Sequence, residues 1–244
     1  CCGALSSSGW PSFGRLFQSF GGGGGRLLLA GGNGAEGAGS RTANVTLGAD
    51  PSFFNDGGDI NLTLQGEIET AGNNASGQVV QSIGAGGGET YLTGLDSATV
   101  TLGASDNSTG DGGAVAVRNI GNVTTQGAGS NGFVLQSIGG GGGLVGTDLA
   151  PANLNVQQSA ANGGSGGAVN LDNTGFVVTR GADAVAILAQ SLGGGGGSAD
   201  GKFRGGAGGA GSGGAISIAQ TGNVMALGEG GIAVMAQSAG RDGA

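Results

Sequence analysis

The chain has 244 residues, of which 63 are glycine, 3 are proline, 4% are aromatic and 10% are charged, with a formal net charge of −8. Lacking histidine, it has no Ser-His-Asp or Cys-His site and no histidine metal ligand; with one lysine, Lys202, it has no basic surface for nucleic acid. Glycine at this level signals disorder unless it recurs with a period, so a repeat search decides the fold class.

Cys1 and Cys2, the only cysteines, open the chain. Adjacent cysteines rarely bridge each other, and neither a disulfide framework nor a zinc site is expected. A leading cysteine also fits a mature lipoprotein. An arbitrary start within a longer chain is the preferred reading, because no initiating methionine and no signal peptide are visible. The longest apolar run, at 27–30, falls far short of the ~18 residues of a membrane-spanning helix, so this segment is expected not to insert into a membrane.

Next comes a Gln-Ser pair, Gln18-Ser19, with no room upstream for the segment that precedes every later pair. That segment reads GGDINLTLQGEIETAG (57–72), GGAVAVRNIGNVTTQG (112–127), GGAVNLDNTGFVVTRG (166–181) and GGAISIAQTGNVMALG (213–228). In all four, 24 positions separate its first glycine from the glutamine of the next pair, at Gln81, Gln136, Gln190 and Gln237. Only the stretch from each glutamine to the following GG varies, at 39, 31, 30 and 23 positions (18 to 57, 81 to 112, 136 to 166, 190 to 213). Length variation on one side of a unit is what stacked repeats show, with loops emerging on one face. The landmarks define a single solenoid fragment over 1–244. It comprises a partial first repeat and loop at 1–56, repeats at 57–111, 112–165 and 166–212, and a truncated repeat at 213–244. Both ends are expected to cut through a longer array.

Within each unit the apolar residues alternate: Ile60 and Leu62, Val115 and Val117, Val169 and Leu171, Ile216 and Ile218. A period of two with one buried face predicts a strand. Gly66, Gly121, Gly175 and Gly222 follow on the same parity, preceded by Asn119, Asn173 and Gln220 two residues earlier, and predict a tight turn. A second short strand carries Ile68, Val123, Val177 and Val224. A third runs into the Gln-Ser pair. A fourth is predicted at NVTL (44–47), TVTL (99–102) and NLNV (153–156), and the last repeat lacks it. No stretch holds a helical period.

Recurrence of the same buried positions favours an all-β parallel β-helix, or β-solenoid, built from glycine-rich repeats of ~47–55 residues, in which like side chains stack on one another. Each repeat is long enough for about two coils, which predicts a rod on the order of 40 Å at ~4.8 Å per coil.

The expected ladder comprises Gln18, Gln81, Gln136, Gln190 and Gln237, with Ser19, Ser82, Ser137, Ser191 and Ser238 beside them. Glutamine shares the parity of the apolar residues around it, so stacked amides are expected to hydrogen-bond from coil to coil. The competing reading is an exposed recognition row. The glycine runs that follow (21–25, 139–143, 193–197, and AGGG at 85–88) are read as sharp turns or flexible loops. A phosphate-binding loop needs Gly-Lys-Ser/Thr or a βαβ setting, and neither is present. No cofactor and no metal are expected.

The pairing of GG-A-V-x-V-x-N-x-G-x-V-x-T-x-G with A-Q-S-I-G-G-G-G-G resembles the repeats of large autotransporter-type surface proteins of Gram-negative, notably alphaproteobacterial, bacteria. The resemblance spans about residues 14 to 240. It implies a β-helical passenger, exported through a translocator barrel that lies outside this sequence, with roles in adhesion, cell–cell contact or biofilm at the extracellular cell surface. Implied partners are a host or neighbouring-cell surface protein or glycan and the chain's own continuation. No catalytic residue is carried over, and an enzyme is not expected.

Two other functions are weighed. A carbohydrate-active solenoid needs paired carboxylates, and Asp56, Asp59, Glu67 and Glu69 cluster in the first repeat only. An ice- or crystal-surface binder needs an exposed threonine row, yet Thr70, Thr125 and Thr179 share parity with the buried valines. Asp106, Asp111 and Asp200 are read as solvated turn residues rather than calcium ligands. Uncapped coils also predict end-to-end self-association through open strand edges.

Overall fold

The computed structural model describes residues 5–8, 13–22, 24–30, 41–48, 55–104, 109–158, 163–199, 202–204 and 210–240. Cys1, Cys2, Asp106 and Asp200 lie outside the described residues.

Strand follows strand with bends between, and each completed circuit brings the chain back above its own starting point. The first circuit holds β1 (Leu5–Ser7), β2 (Arg15–Phe20), β3 (Gly24–Ala30) and β4 (Thr42–Leu47). The second holds β5 (Ile60–Gln65), β6 (Ile68–Thr70), β7 (Gln78–Ile83), β8 (Gly87–Thr93) and β9 (Ser97–Leu102). The third holds β10 (Val115–Ile120), β11 (Val123–Thr125), β12 (Phe133–Ile138), β13 (Gly142–Thr147) and β14 (Leu154–Gln158). The fourth holds β15 (Val169–Asn173), β16 (Val177–Thr179), β17 (Val185–Leu192), β18 (Gly196–Ala199) and β19 (Lys202–Arg204). The fifth holds β20 (Ile216–Gln220), β21 (Val224–Ala226) and β22 (Ile232–Ala239).

Equivalent strands pair in parallel into five sheets: I (β5, β10, β15, β20), II (β1, β6, β11, β16, β21), III (β2, β7, β12, β17, β22), IV (β3, β8, β13, β18, with β19) and V (β4, β9, β14). The fold is a parallel β-solenoid. Its register matches the sequence landmarks: Val115 pairs with Ile60 and Val169, and Gln136 with Gln81 and Gln190.

Partners therefore lie one whole repeat apart, and each repeat makes one coil. The expectation of two coils per repeat, and of a rod near 40 Å, is corrected: five rungs at ~4.8 Å stack to about 20 Å. The reason lies in sheets IV and V. Instead of starting a second circuit, the chain folds back behind sheet III, thickening the coil rather than lengthening it.

Three apolar layers result. Sheets I, II and III enclose the first, where Val115, Val117, Val123, Val169, Leu171 and Val177 meet Val80, Leu135 and Ile187. Each fully buried aliphatic side chain here contributes roughly 1.5–3 kcal/mol over exposure. The outer face of sheet III (Val79, Val134, Leu188) and Leu144 of sheet IV form the second. The opposite face of sheet IV (Leu92, Val145, Ala199) packs on Val45, Val100 and Leu102 of sheet V as the third. Sheet I alternates inward and outward as its sequence predicts, whereas β7, β12 and β17 are buried on both faces.

Three to four strands per repeat were legible; the structure has up to five. The unforeseen one is the sheet IV strand, which begins inside the glycine run. The runs are half turn and half strand, which corrects their reading as turns or loops throughout. Gly140 has φ 77°, a left-handed turn, while Gly142 and Gly143 have φ 133° and 141° and pair in register with Gly87, Gly88, Gly196 and Gly197. That mirror-image extended region is essentially closed to side chains. Ala85, at the position of Gly140 and Gly194, keeps the left-handed φ at 60°.

The fourth predicted strand is sheet V. Its third member pairs Leu154 with Ala98 and Val156 with Val100, a slide of two residues from the NLNV alignment that preserves the inward parity. Among the described residues the last full repeat contributes no strand to sheet V, and β19 turns back antiparallel on β18.

Candidate functional site

The Gln-Ser row runs through the interior. Gln81, Gln136 and Gln190 are fully buried on the outer face of sheet III. Each amide donates to the next rung: Gln18 to Gln81 at 2.8 Å, Gln81 to Gln136 at 2.6 Å, Gln136 to Gln190 at 2.7 Å and Gln190 to Gln237 at 2.8 Å. An amide suits this position because it carries donor and acceptor at once, so an unbroken column satisfies its own polar groups.

The serines clamp a different pair of sheets. Ser82 Oγ donates to Gly58 O at 2.9 Å and accepts from Gly113 N–H at 2.9 Å; Ser137 does the same with Gly113 and Gly167, and Ser191 with Gly167 and Gly214. At the two ends Ser19 accepts from Gly58 and Ser238 donates to Gly214. The constant 24-residue spacing now has a cause. Each serine must reach the carbonyl of the second glycine in its own repeat.

Asn119 and Asn173 form a second internal column, on sheet I. Gln78 donates to Asn119, Asn119 to Asn173 and Asn173 to Gln220, at 2.7–2.8 Å. The same Nδ2 of Asn119 and of Asn173 reaches the bend carbonyl of Gly121 and of Gly175, each at 2.8 Å. Gly66, Gly121, Gly175 and Gly222 are those bends between sheets I and II. They stack so closely that a Cβ on Gly175 would lie 1.9 Å from Gly121 O. Thr70, Thr125 and Thr179 are fully buried in sheet II, so this row presents no surface lattice.

These ladders hold the coil together, with the Ser82, Ser137 and Ser191 hydroxyls engaged by glycine backbone on two rungs. Gln136→Leu keeps the volume but strands the Gln81 amide donor and the Gln190 carbonyl in an apolar layer. It is expected to destabilise the protein by about 2–3 kcal/mol in a denaturant titration, against about 1 kcal/mol or less for Gln237→Leu at the end of the column.

The carboxylates of the first repeat also serve the stack. Asp56 accepts from Asp111 N–H and Asp59 from Ala114 N–H, while exposed Glu67 and Glu69 accept from Asn122 and Gln126 one rung on. Asp111 accepts from Ser165 N–H in the same way. Among the described residues no group of three or more His, Cys, Asp or Glu side chains is placed to hold a metal ion.

Two features escaped the sequence reading. One is a cleft of about 310 Å³ between the turns joining sheets II and III and the far end of sheet IV, lined by Asn73, Asn74, Asn131, Asp148, Asp183 and Tyr91 among others. Asn74 and Asp183 occupy the left-handed turn position (φ 52° and 54°) that is glycine in the neighbouring rungs, at Gly129 and Gly230. Asp148 accepts from Thr93 Oγ1 and Gly94 N–H, and Asn131 from Val185 N–H, so the walls are braced. Exposed Asp183 stands on the rim. Its polar lining is amide, hydroxyl and carboxylate, set beside Leu144, Val145 and Val185, and no basic side chain is among the described lining residues.

The other is Glu89, on sheet IV between Arg26 and Leu144 in the register. It is fully buried, and neither carboxylate oxygen has a hydrogen-bond partner. Burial raises its pKa to about 8, with Arg26 opposing. The Arg26 guanidinium lies 4.9 Å from the Phe13 ring centroid and 5.5 Å from that of Tyr91. Tyr91 is itself pushed up by burial and by Glu89. The signal available in the sequence was an oppositely charged pair, Arg26 and Glu89, in a column that continues with Leu144 and Ser198, but that column was invisible until sheet IV was recognised.

Fold and ladders together define a one-coil-per-repeat parallel β-solenoid. Comparison with protein-family models, with curated proteins and with solved structures returns no match.

Proposed function

We propose that this chain is a structural and adhesive extracellular β-solenoid module, a stalk of an autotransporter-type passenger that mediates surface attachment or cell–cell contact. One observation carries the reading. The recurrent polar chemistry is spent inside the coil on ladders, while variation is confined to the segments beyond sheet III, the arrangement of a scaffold that displays loops. The repeat motifs supply the likeness to secreted surface proteins.

A glycan is the adhesive partner the cleft favours, because its amides, hydroxyls and carboxylates match sugar hydroxyls and the chain's negative charge disfavours anionic partners. Surfaces coated with the chain are expected to retain bacterial or host cells above a coating of an unrelated β-solenoid, and Asp183→Arg at the cleft rim is expected to reduce retention. Equal retention on both coatings would remove the adhesive role. Retention indifferent to Asp183→Arg would move the contact away from the cleft.

A further inference from the structure

The cleft beside the turns joining sheets II and III is built around the third rung. Two of its lining positions there are glycine, Gly129 in the turn and Gly146 on β13. A Cβ on Gly129 would lie 2.6 Å from Asn74 Oδ1, and one on Gly146 would lie 2.5 Å from Tyr91 Cε1. The neighbouring rungs keep their side chains, Asn74 and Tyr91 on the second and Asp183 and Ser198 on the fourth. Along the stack these side chains bound the recess. At about 310 Å³ it stands at the small end of ligand pockets, with room for one sugar residue rather than an extended chain.

Asn131 supplies a donor that the fold does not spend. Its Oδ1 accepts from Val185 N–H at 2.8 Å, and its backbone N–H donates to Ser76 Oγ at 3.2 Å, which fixes the residue in place. With the oxygen committed, Nδ2 is the free end of the amide, without a hydrogen-bond partner among the described residues. Asn131 is only 8% exposed and lines the cleft, so this donor is a buried group turned towards the recess. Val185 and Leu144, which also line it, belong to the apolar layer between sheets III and IV. A donor beside an apolar patch calls for a ligand group that carries a carbonyl oxygen and a methyl close together. The rim is acidic. Exposed Asp183 makes no ion pair among the described residues, and a carboxylate there accepts from hydroxyl groups and repels anions.

We infer that the cleft binds one uncharged N-acetylated sugar residue. The acetamido carbonyl accepts from Asn131 Nδ2, the acetamido methyl rests on Leu144 and Val185, and ring hydroxyls donate to Asp183. Carboxylated sugars are repelled by Asp183 and Asp148, with no basic side chain among the described lining residues to offset them. The partner class rests on the glycan reading proposed above; the choice among glycans rests on Asn131 and its neighbours.

The test is saturation-transfer NMR on the 244-residue chain, with the methyl glycosides of N-acetylglucosamine and N-acetylgalactosamine as probes. At least one is expected to bind with a Kd on the order of 1 mM, its acetamido methyl receiving the most saturation. Methyl glucoside, N-acetylneuraminic acid and N-methylacetamide are expected to bind at least about tenfold more weakly. Asn131→Asp keeps the acceptor for Val185 N–H but removes the donor, and is expected to weaken binding by about tenfold or more. Asp183→Asn, on the exposed rim, is expected to weaken it about threefold, and it carries the test if Asn131→Asp melts early by circular dichroism. Binding of neither N-acetyl sugar, equal binding of methyl glucoside or N-methylacetamide, or affinity unchanged in the folded variants would overturn the inference. Cell retention separates this site from the adhesive role. If the sugar binds but a saturating dose releases no retained cells, the site stands and the adhesive reading of the cleft falls. If neither sugar binds while Asp183→Arg still lowers retention, the adhesive reading stands and the sugar assignment falls.

Discussion

Gly143→Ala is expected to abolish cooperative folding at ambient temperature, or to lower stability by roughly 4 kcal/mol or more. Gly143 has φ 141°, and a Cβ placed there would sit 1.9 Å from Gly88 O in the rung below. The backbone strain alone costs on the order of 1–3 kcal/mol. The contact cannot relax locally, because Gly143 lies between Gly88 and Gly197 and a shift of one rung displaces both. Gly163→Ala is the matched control. Its Cβ would meet only Thr109 Cγ2 at 3.5 Å, and a change of less than about 1 kcal/mol is expected there. Urea or guanidinium titrations of the two variants check the contrast. Equal effects would mean that glycine matters here through chain entropy rather than stacking geometry.

The second large effect concerns Glu89. Its folded pKa is raised to about 8 from an ordinary 4.5. For a carboxyl raised in this way, stability is fully present below the unfolded value and is lost as pH climbs towards the folded one. Between pH 4.5 and about 8 this one group is expected to withdraw up to about 5 kcal/mol, since a tenfold change in proton activity is worth about 1.4 kcal/mol. Above that window the loss levels off. Glu89→Gln should resemble the parent at pH 5 and exceed it in stability at pH 8. Glu89→Leu, which adopts the residue of the next rung at Leu144, should be more stable still in that apolar layer. Thermal melts at the two pH values are the measurement. Parallel pH profiles for the parent and Glu89→Gln would show that Arg26 neutralises the carboxylate in place.

Much of the coil was legible because its information lies in side-chain alternation. Val115, Val117 and Asn119 share a parity, and the structure buries all three. The recurrence of Gln-Ser at a fixed distance from GG put equivalent residues in register along the chain itself. Sheet IV was not legible. Its strands, GGRLLLA, GGETYLT, GGLVGT and GGSA, share no side-chain pattern, and what unites them is a glycine backbone held at φ values near +140°. Backbone conformation of that kind leaves no hydrophobic period to read.

Sequence alone determined that this protein is a stack of like repeats with glutamine, serine and asparagine columns, because parallel pairing of identical segments puts each residue on its own copy. Tertiary structure decided how many coils a repeat makes, which face of sheet III the glutamines occupy, and that Glu89 is sealed away from water. Those outcomes depend on the chain folding back behind sheet III. A period fixes the distance between equivalent residues along the chain, but not the path taken between them.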